Sequence, residues 1–382
     1  MTIEATSAGE TGETTTEQPG RHANNWVVLL LMFTLAGVVE SQAFGHLNAF
    51  RPLYLEQLGV PAANIATWTG VLAALGFVIG LPLLPFWGVW ADRYSRKLII
   101  VRSAYVEGVL FTVAALAPNV WVLALAQLLG GFVFGNTGVM LAMDAGLSVV
   151  MGLLLTLIVH EEMHKVVKGE TVGKMLRAAV RAIVSSPVVL RLFILYFLAM
   201  YGYSLASPFI PILLQNLYTG DPRHLAGMIG TTLTLAGITM AIMTPIWGRL
   251  GDTGARWLVL PLCLAGMAAG LVVAALAQTL FPLQFDIVGM GLFQGGIGTT
   301  VLALLALLAP EERRAPILTF SLLPSQLSWF FGPITGAALS RVSVTLPFLA
   351  GAVALSAALV FAIVLALRAR GGGIVAAASA AS

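Results

Sequence analysis

Eleven long apolar segments dominate this 382-residue chain and limit what it can fold into. They cover residues 26–55, 64–87, 98–117, 121–143, 145–159, 188–217, 225–247, 257–279, 281–309, 315–340 and 346–367. An α-helix needs roughly 20 apolar residues to cross the hydrocarbon core of a bilayer, and every segment except 145–159 reaches that length. Helices satisfy their own backbone hydrogen bonds inside lipid. The pattern therefore predicts an all-α polytopic membrane protein.

The composition excludes the soluble classes. The chain is 58% hydrophobic and 10% charged, with a mean hydropathy of +0.93, whereas soluble domains carry about 25% charged residues. Its single cysteine, Cys263, excludes a disulfide framework and a cysteine-based zinc site. The net charge of +3 comes from short basic loops and does not indicate nucleic-acid binding. We expect the lipid bilayer as a partner, and no nucleic acid, cofactor or metal.

The basic residues predict the orientation of the chain in the membrane, because cytoplasmic loops are enriched in Lys and Arg. The rich set comprises Arg93, Arg96 and Lys97, then Lys165, Lys168, Lys174, Arg177 and Arg181, then Arg249 and Arg256, Arg313 and Arg314, and Arg368 and Arg370. The intervening loops are expected to hold only Arg51, Arg223 and Arg341. This distribution predicts a plasma (inner) membrane protein with both termini in the cytoplasm.

An internal repeat divides the chain into two halves. FRPLYLEQL at 50–58 matches FIPILLQNL at 209–217, and GVWADRYSR at 88–96 matches GRLGDTGAR at 248–256. Repeated helical halves are a common plan for transporters. The predicted organisation is a disordered cytoplasmic tail, a truncated N-terminal helical half, a cytoplasmic central loop, a C-terminal six-helix half and a disordered tail. These occupy residues 1–24, 25–159, 160–187, 188–368 and 369–382.

The first half is shorter than the second by about one helix. Segment 145–159 has fifteen residues, about 22 Å as a helix against a hydrocarbon core of about 30 Å. Five apolar segments also precede the central loop, although a cytoplasmic N-terminus and a cytoplasmic loop require an even number of crossings. We therefore expect that residues 121–159 do not form two normal crossings.

Four segments carry a resemblance to a known family. The loop after the second segment contains Gly88, Asp92, Arg93, Arg96 and Lys97, and its degenerate copy contains Gly248, Asp252 and Arg256. FFGPITGAA contains Gly332, Pro333 and Gly336. The loops resemble the signature of the major facilitator superfamily, and FFGPITGAA resembles the Gly-Pro element of its eleventh helix. FRPLYLEQLGV resembles the proton-coupled multidrug antiporter branch.

The resemblance implies two pseudo-repeated halves that alternate access to a central site. It also implies that Asp92 latches the halves on the cytoplasmic side, where the neighbouring basic residues tune the latch. Three features depart from the branch: its Gly-Pro element of helix 5 is missing, Gln127 stands where its fourth helix carries Arg, and about 11 segments replace twelve helices. The first and third departures predict that the helix 5 region is absent, with a junction near residues 142–147.

Ionisable residues inside the apolar segments are candidates for proton coupling, because burying charge in lipid is costly and usually functional. Glu40 lies near the middle of the first segment and is the first candidate, and Glu107 in the third is the next. On a helix, Glu40, Ser41, Asn48 and Arg51 share a 100° arc, which predicts the lining of a polar cavity. Asp286 is a weaker candidate. The aromatic residues Tyr196, Tyr201, Tyr203 and Phe209 fit either a drug cavity or ordinary packing.

The predicted function is secondary active transport, in which a monomer exports lipophilic or cationic compounds in exchange for protons and is not an enzyme. Alternatives are a metabolite uniporter or symporter, and a non-transporting remnant or membrane scaffold. His160, Glu161 and His164 form H-E-x-x-H, the zinc-protease pattern. An intramembrane zinc protease is therefore a third alternative. No third metal ligand is evident, so a solvated helix end is the favoured interpretation of this motif.

Overall fold

The computed structural model describes residues 49–93, 96–131, 183–252, 256–310 and 320–370, together with positions 153, 177, 180, 181, 317 and 318. For residues 84–93, 96–100, 103, 104, 256, 369 and 370 it describes the backbone only. Within these ranges the chain consists of helices and the turns between them. The predicted tail at 1–24, the segment 145–159, most of the central loop at 160–187 and the tail beyond residue 370 lie outside the described residues.

Eleven α-helices are numbered here along the described chain. They are α1 (49–57), α2 (Ala62–Arg93), α3 (Arg96–Ala115), α4 (Val120–Gly130), α5 (Pro187–Ala206), α6 (Ile210–Leu217), α7 (Pro222–Leu250), α8 (Arg256–Leu276), α9 (Leu280–Leu308), α10 (Leu323–Ser340) and α11 (Leu346–Arg370). Six membrane-length apolar spans occur in the described chain, with shorter apolar helices at Tyr105–Ala115 and Val120–Gly130. The prediction of an all-α polytopic membrane protein is confirmed.

Local signals define the turns of the first half. Gly59 has φ 76°, a left-handed conformation that favours glycine, and it ends α1. The N–H of Gly59 donates to the carbonyl of Glu56, and the N–H of Val60 donates to that of Leu55. Asn119 caps α4, where its side-chain oxygen accepts from the N–H groups of Trp121 and Val122 at 3.1 Å. Helix α4 then packs on α2 and α3.

The apolar segment at 188–217 is a broken helix rather than one uninterrupted rod. A 3-10 turn, Ser207–Phe209, separates α5 from α6. Pro208 and Pro211 lie at the starts of the turn and of α6, and proline has no N–H to donate to a preceding turn of helix. The 3-10 turn lies against α2 of the first half.

The second half is built around α5, α8 and α9. Helix α9 packs on α7 and α8, α11 packs on α5 and α8, and α10 packs on α5. Eleven residues of α5 are buried. This half contains most of the buried apolar residues of the described chain.

The helices extend the repeat seen in the sequence. At the same offset of 160, α2 and α7 align Gly70 with Gly230, Ala74 with Thr234, Pro85 with Pro245 and Trp87 with Trp247. A copy of the Gly-Asp-Arg motif begins near the C-terminal end of each of these helices. Helices α2 and α7 are therefore equivalent members of the two halves.

Candidate functional site

The two halves meet where α2 packs on α10. A Cβ atom added to Gly70 would meet the carbonyl of Pro333 and the side chain of Ala337, so only glycine permits this approach. On α10, the Cβ of a residue replacing Gly332 would meet Ser204, and one replacing Gly336 would meet Phe209 and the Leu205 carbonyl. The predicted Gly-Pro element is thus buried between α2 and α5.

Two serines fasten α10 to α5. The hydroxyl of Ser204 donates to the carbonyl of Ser328 at 2.7 Å, and the hydroxyl of Ser328 lies 2.8 Å from the carbonyl of Phe197. Both serines are buried. These bonds hold α10 in place, so that its other face is presented to α2.

The two halves also touch where α1 meets α6. The amide of Gln215 on α6 lies 3.4 Å from both carboxylate oxygens of Glu56 on α1. These two residues are equivalent in the repeat, since FRPLYLEQL matches FIPILLQNL. Near them, the ring of Phe50 approaches Gly230 of α7, where an added Cβ would lie 3.4 Å from it. Repeat-related segments therefore face each other across the boundary between the halves.

Helix α7 is attached to the protein by one face. Its buried residues are Ile229, Thr232 and Trp247. The indole N–H of Trp247 donates to the carbonyl of Leu292 on α9, and Gly291 and Gly295 of α9 allow the two helices to approach closely.

The remaining surface of α7 is open. Leu235, Ile238 and Ile242 are 48, 50 and 59% exposed. A Cβ added to Gly237 or Gly248 would meet nothing within 4 Å. This surface, which we call the open face of α7, includes the side that the repeat equates with the α10-covered side of α2.

The structure places both copies of the loop motif at equivalent positions. Gly88, Asp92 and Arg93 lie in the last two turns of α2, and Arg96 and Lys97 begin α3. In the second half, Gly248 lies near the end of α7, Asp252 is exposed two residues beyond that end, and Arg256 begins α8. The side chains of the first copy and of Arg256 lie outside what the structure describes.

Two of the three proton-coupling candidates, Glu107 and Asp286, lie on separate helices. Glu40 falls outside the described residues. Glu107 lies on α3 and is half-buried. Asp286 lies on α9, where its Oδ2 atom is buried without a hydrogen-bond partner and its Oδ1 faces Gly270 of α8. The structure therefore does not bring Glu107 and Asp286 onto one pair of packed helices.

The aromatic candidates are divided between packing and a helix interface. Phe209 is fully buried and fills the space beside Gly70 and Gly336, which assigns it to packing. Tyr203 makes a T-shaped contact with Trp329 of α10, with ring centroids 6.0 Å apart. Tyr201 stacks on Phe197 of the same helix at 5.6 Å, and Tyr196 is buried.

The expectation that Arg51 is a loop residue is wrong. Arg51 lies in α1 and is only 3% exposed, and its Nη1 donates to the carbonyl of Thr69 on α2 at 3.2 Å. The helical interpretation, in which Arg51 lies within the first apolar segment, is the one that agrees with α1, which continues past Arg51 to residue 57. Sequence analysis also missed Thr69, whose buried hydroxyl has no partner, although Thr in an apolar segment is a weak signal.

Comparison with known proteins covers both halves. The family model of the Major Facilitator Superfamily matches residues 192–379, and that of the MFS_1 like family matches residues 21–143. A "multi-drug resistance efflux pump PmrA homolog" of Lactococcus lactis is 24% identical, over 83% of this chain and 89% of the relative. The "multidrug resistance protein MdtG" of Escherichia coli is 25% identical, over 83% and 88%.

This chain belongs to the major facilitator superfamily. As a member of this superfamily it is a multi-pass membrane transporter that carries small-molecule substrates, and a carrier rather than an enzyme. The family predicted from the loop motifs, including its resemblance to drug efflux proteins, is confirmed.

Solved structures share the fold. The nucleoside transporter NupG has a TM-score of 0.67 at 13% identity, over 90% of this chain and 98% of that one. The human organic anion transporter MFSD10 has a TM-score of 0.65 at 13% identity, over 88% and 98%. At such identities the likeness concerns the fold of this transporter.

The alignment with the efflux relatives contains positions that this chain lacks. Their alignment with this chain extends over 366 positions but includes 83% of its 382 residues, about 317 residues. About fifty aligned positions therefore have no residue here. Their total equals roughly the length of one membrane helix with its loops.

Proposed function

We propose that this transporter exports lipophilic or cationic compounds in exchange for protons. It works by alternating access, as a monomer in the inner membrane with both termini in the cytoplasm. The observation that carries the proposal is the similarity to two multidrug efflux proteins, which extends over 83% of the chain and includes both halves.

The contact between α2 and α10 supports alternating access. Gly70 has no side chain that could interlock with Pro333 and Ala337 of α10. Small residues let helix backbones approach closely within a bilayer. A smooth contact of this kind can act as the surface on which the halves rock, which is how repeated transporter halves expose a midplane site to each side in turn.

In this proposal Glu40 carries the proton, and Glu107 is the next candidate. A carboxyl within the membrane can bind a proton from one side and release it to the other when access alternates. Its negative charge also favours a cationic substrate. Asp92, with Arg93, Arg96 and Lys97, latches the cytoplasmic ends, and Gly248, Asp252 and Arg256 form the second copy of the latch.

The experiment that tests the proposal is dye export by the full chain in inside-out vesicles with an imposed pH gradient. The wild type should transport a lipophilic cation such as ethidium when the gradient is applied and stop when it is dissipated. Glu40→Gln keeps the size of the side chain but cannot cycle a proton. Gradient-driven transport should therefore fall at least tenfold, which corresponds to roughly 1.4 kcal/mol of activation free energy.

The matched control is Asp221→Asn, which also removes one carboxylate. Asp221 is exposed and caps α7, where its Oδ1 accepts from the N–H of Arg223 at 2.9 Å. Asparagine caps helices as well as aspartate does, so transport should persist. If Glu40→Gln transports with the pH dependence of the wild type, Glu107 becomes the proton carrier. If the wild type itself transports nothing, the non-transporting alternative is favoured.

A further inference from the structure

Arg51 is a buried cation in the first half, and no described carboxylate balances its charge. Its side chain is 3% exposed, and in the described chain it makes one hydrogen bond, to the carbonyl of Thr69. Its Nε is buried without any hydrogen-bond partner. Arginine stays charged in proteins, so this guanidinium brings a full positive charge into the fold.

No carboxylate in the described ranges pairs with Arg51. The nearest acid along α1 is Glu56, which is exposed and contacts Gln215 on α6 instead. On α2, Arg51 contacts Thr69, whose carbonyl supplies a dipole rather than a charge. A buried charge without a counter-charge is strongly destabilising, and within a membrane protein such a residue marks a functional site by default.

A second unpartnered group lies beside the arginine. The hydroxyl of Thr69 is fully buried, and its Oγ1 has no hydrogen-bond partner. A hydroxyl and a guanidinium Nε–H can both donate to the same acceptor. The carbonyl of Thr69 already accepts a hydrogen bond from Arg51. The Nε–H of Arg51 and the hydroxyl of Thr69 therefore lie in the same region, where α1 meets α2.

We propose that Arg51 and Thr69 form a binding site for a small anionic group, either a halide ion or a carboxylate. The anion accepts from Nε–H of Arg51 and from the hydroxyl of Thr69, and it neutralises the buried charge. The next residue of α2, Gly70, packs against α10 of the other half, so the site adjoins the contact on which the halves rock. This site is independent of the proton-coupled export proposed above.

The test uses the purified full chain in detergent and follows its unfolding temperature. Sodium chloride is titrated in one series and sodium benzoate in another, with sodium methanesulfonate keeping the ionic strength constant. We expect a saturable rise in the unfolding temperature of the wild type, because a ligand that binds the folded state stabilises it. A rise with chloride alone assigns a halide site, and a rise with benzoate alone assigns the carboxylate of an organic substrate.

Arg51→Gln should lower the affinity for the anion that stabilises the wild type by about ten- to hundredfold, since hydrogen bonds to charged groups contribute about 1.5–3 kcal/mol. Arg341→Gln is the matched control, because it removes the same charge from an exposed residue beyond the end of α10 and should keep the wild-type response. Thr69→Val leaves the arginine in place and should lower the affinity for the same anion about two- to tenfold.

Two results overturn the proposal. One is a wild-type unfolding temperature that neither chloride nor benzoate changes beyond the effect of methanesulfonate. The other is an anion response that stays intact in Arg51→Gln, or in Thr69→Val where Arg51→Gln does not fold.

Discussion

Helices α2 and α7 are equivalent in the repeat, yet they have different surroundings. Helix α2 is covered by α10, whose Pro333 carbonyl and Ala337 side chain lie against Gly70. Helix α7 packs on α9, but its repeat-related glycine, Gly230, approaches only the edge of the Phe50 ring, and Gly237 faces open space. Ala74 of α2 is 2% exposed, whereas its equivalent Thr234 is exposed.

We interpret the difference through the prediction that the first half is short by about one helix. Since α10 of the second half covers α2, the two-fold plan requires the corresponding helix of the first half to cover α7. That helix is in the helix 5 region, which the sequence predicts to be absent. The open face of α7 and the roughly fifty unmatched positions in the efflux alignment both support this interpretation. The halves would then share one long helix–helix contact, α2 with α10, instead of two.

The largest effect is expected for added bulk on the covered helix. Gly70→Val should separate α2 from α10, abolish transport and lower the free energy of unfolding by about 1–3 kcal/mol, the usual cost of overpacking. Gly237→Val on α7 should change stability by less than about 0.5 kcal/mol, since nothing lies within 4 Å. Unfolding temperature and dye efflux of the two variants check this, and equal losses would show that α7 is covered as well.

An intermediate effect is expected in thiol labelling of the equivalent pair Ala74 and Thr234. With Cys263 replaced by Ser, Thr234→Cys should react with a membrane-permeant maleimide at least about tenfold faster than Ala74→Cys, which needs local opening to react. Rates are read by mass spectrometry on the folded protein, with the denatured protein as the reference for full reaction. Similar rates at the two positions would contradict the asymmetry.

The smallest effect is expected where α7 is attached. Trp247→Phe removes the indole N–H that donates to the Leu292 carbonyl of α9, which should lower the free energy of unfolding by about 1 kcal/mol. Ile242→Val, on the same helix but 59% exposed, should have almost no effect. Thermal unfolding of both variants provides the measurement. A larger loss in Ile242→Val than in Trp247→Phe would mean that the open face carries contacts.

The amino-acid sequence determined the class of fold and the family. Long apolar segments leave helices as the way to satisfy the backbone in lipid, and the repeated Gly-Asp-Arg loops and the Gly-Pro element carry enough local identity to be recognised. The helix bounds agree closely with the apolar segments, as for α9 at Leu280–Leu308 against 281–309. Local patterns of this kind depend on neighbours along the chain.

Tertiary structure alone decided which residues face each other. Periodicity placed Arg51 on a polar arc and the positive-inside argument placed it in a loop, but only the packing of α1 on α2 buries it beside Thr69. The closeness of Gly70 to Pro333 likewise depends on a partner more than a hundred residues away, and the exposure of α7 depends on which helices pack against it. Contact with a distant helix leaves no period in the sequence, because close packing is set by the shapes of both surfaces together.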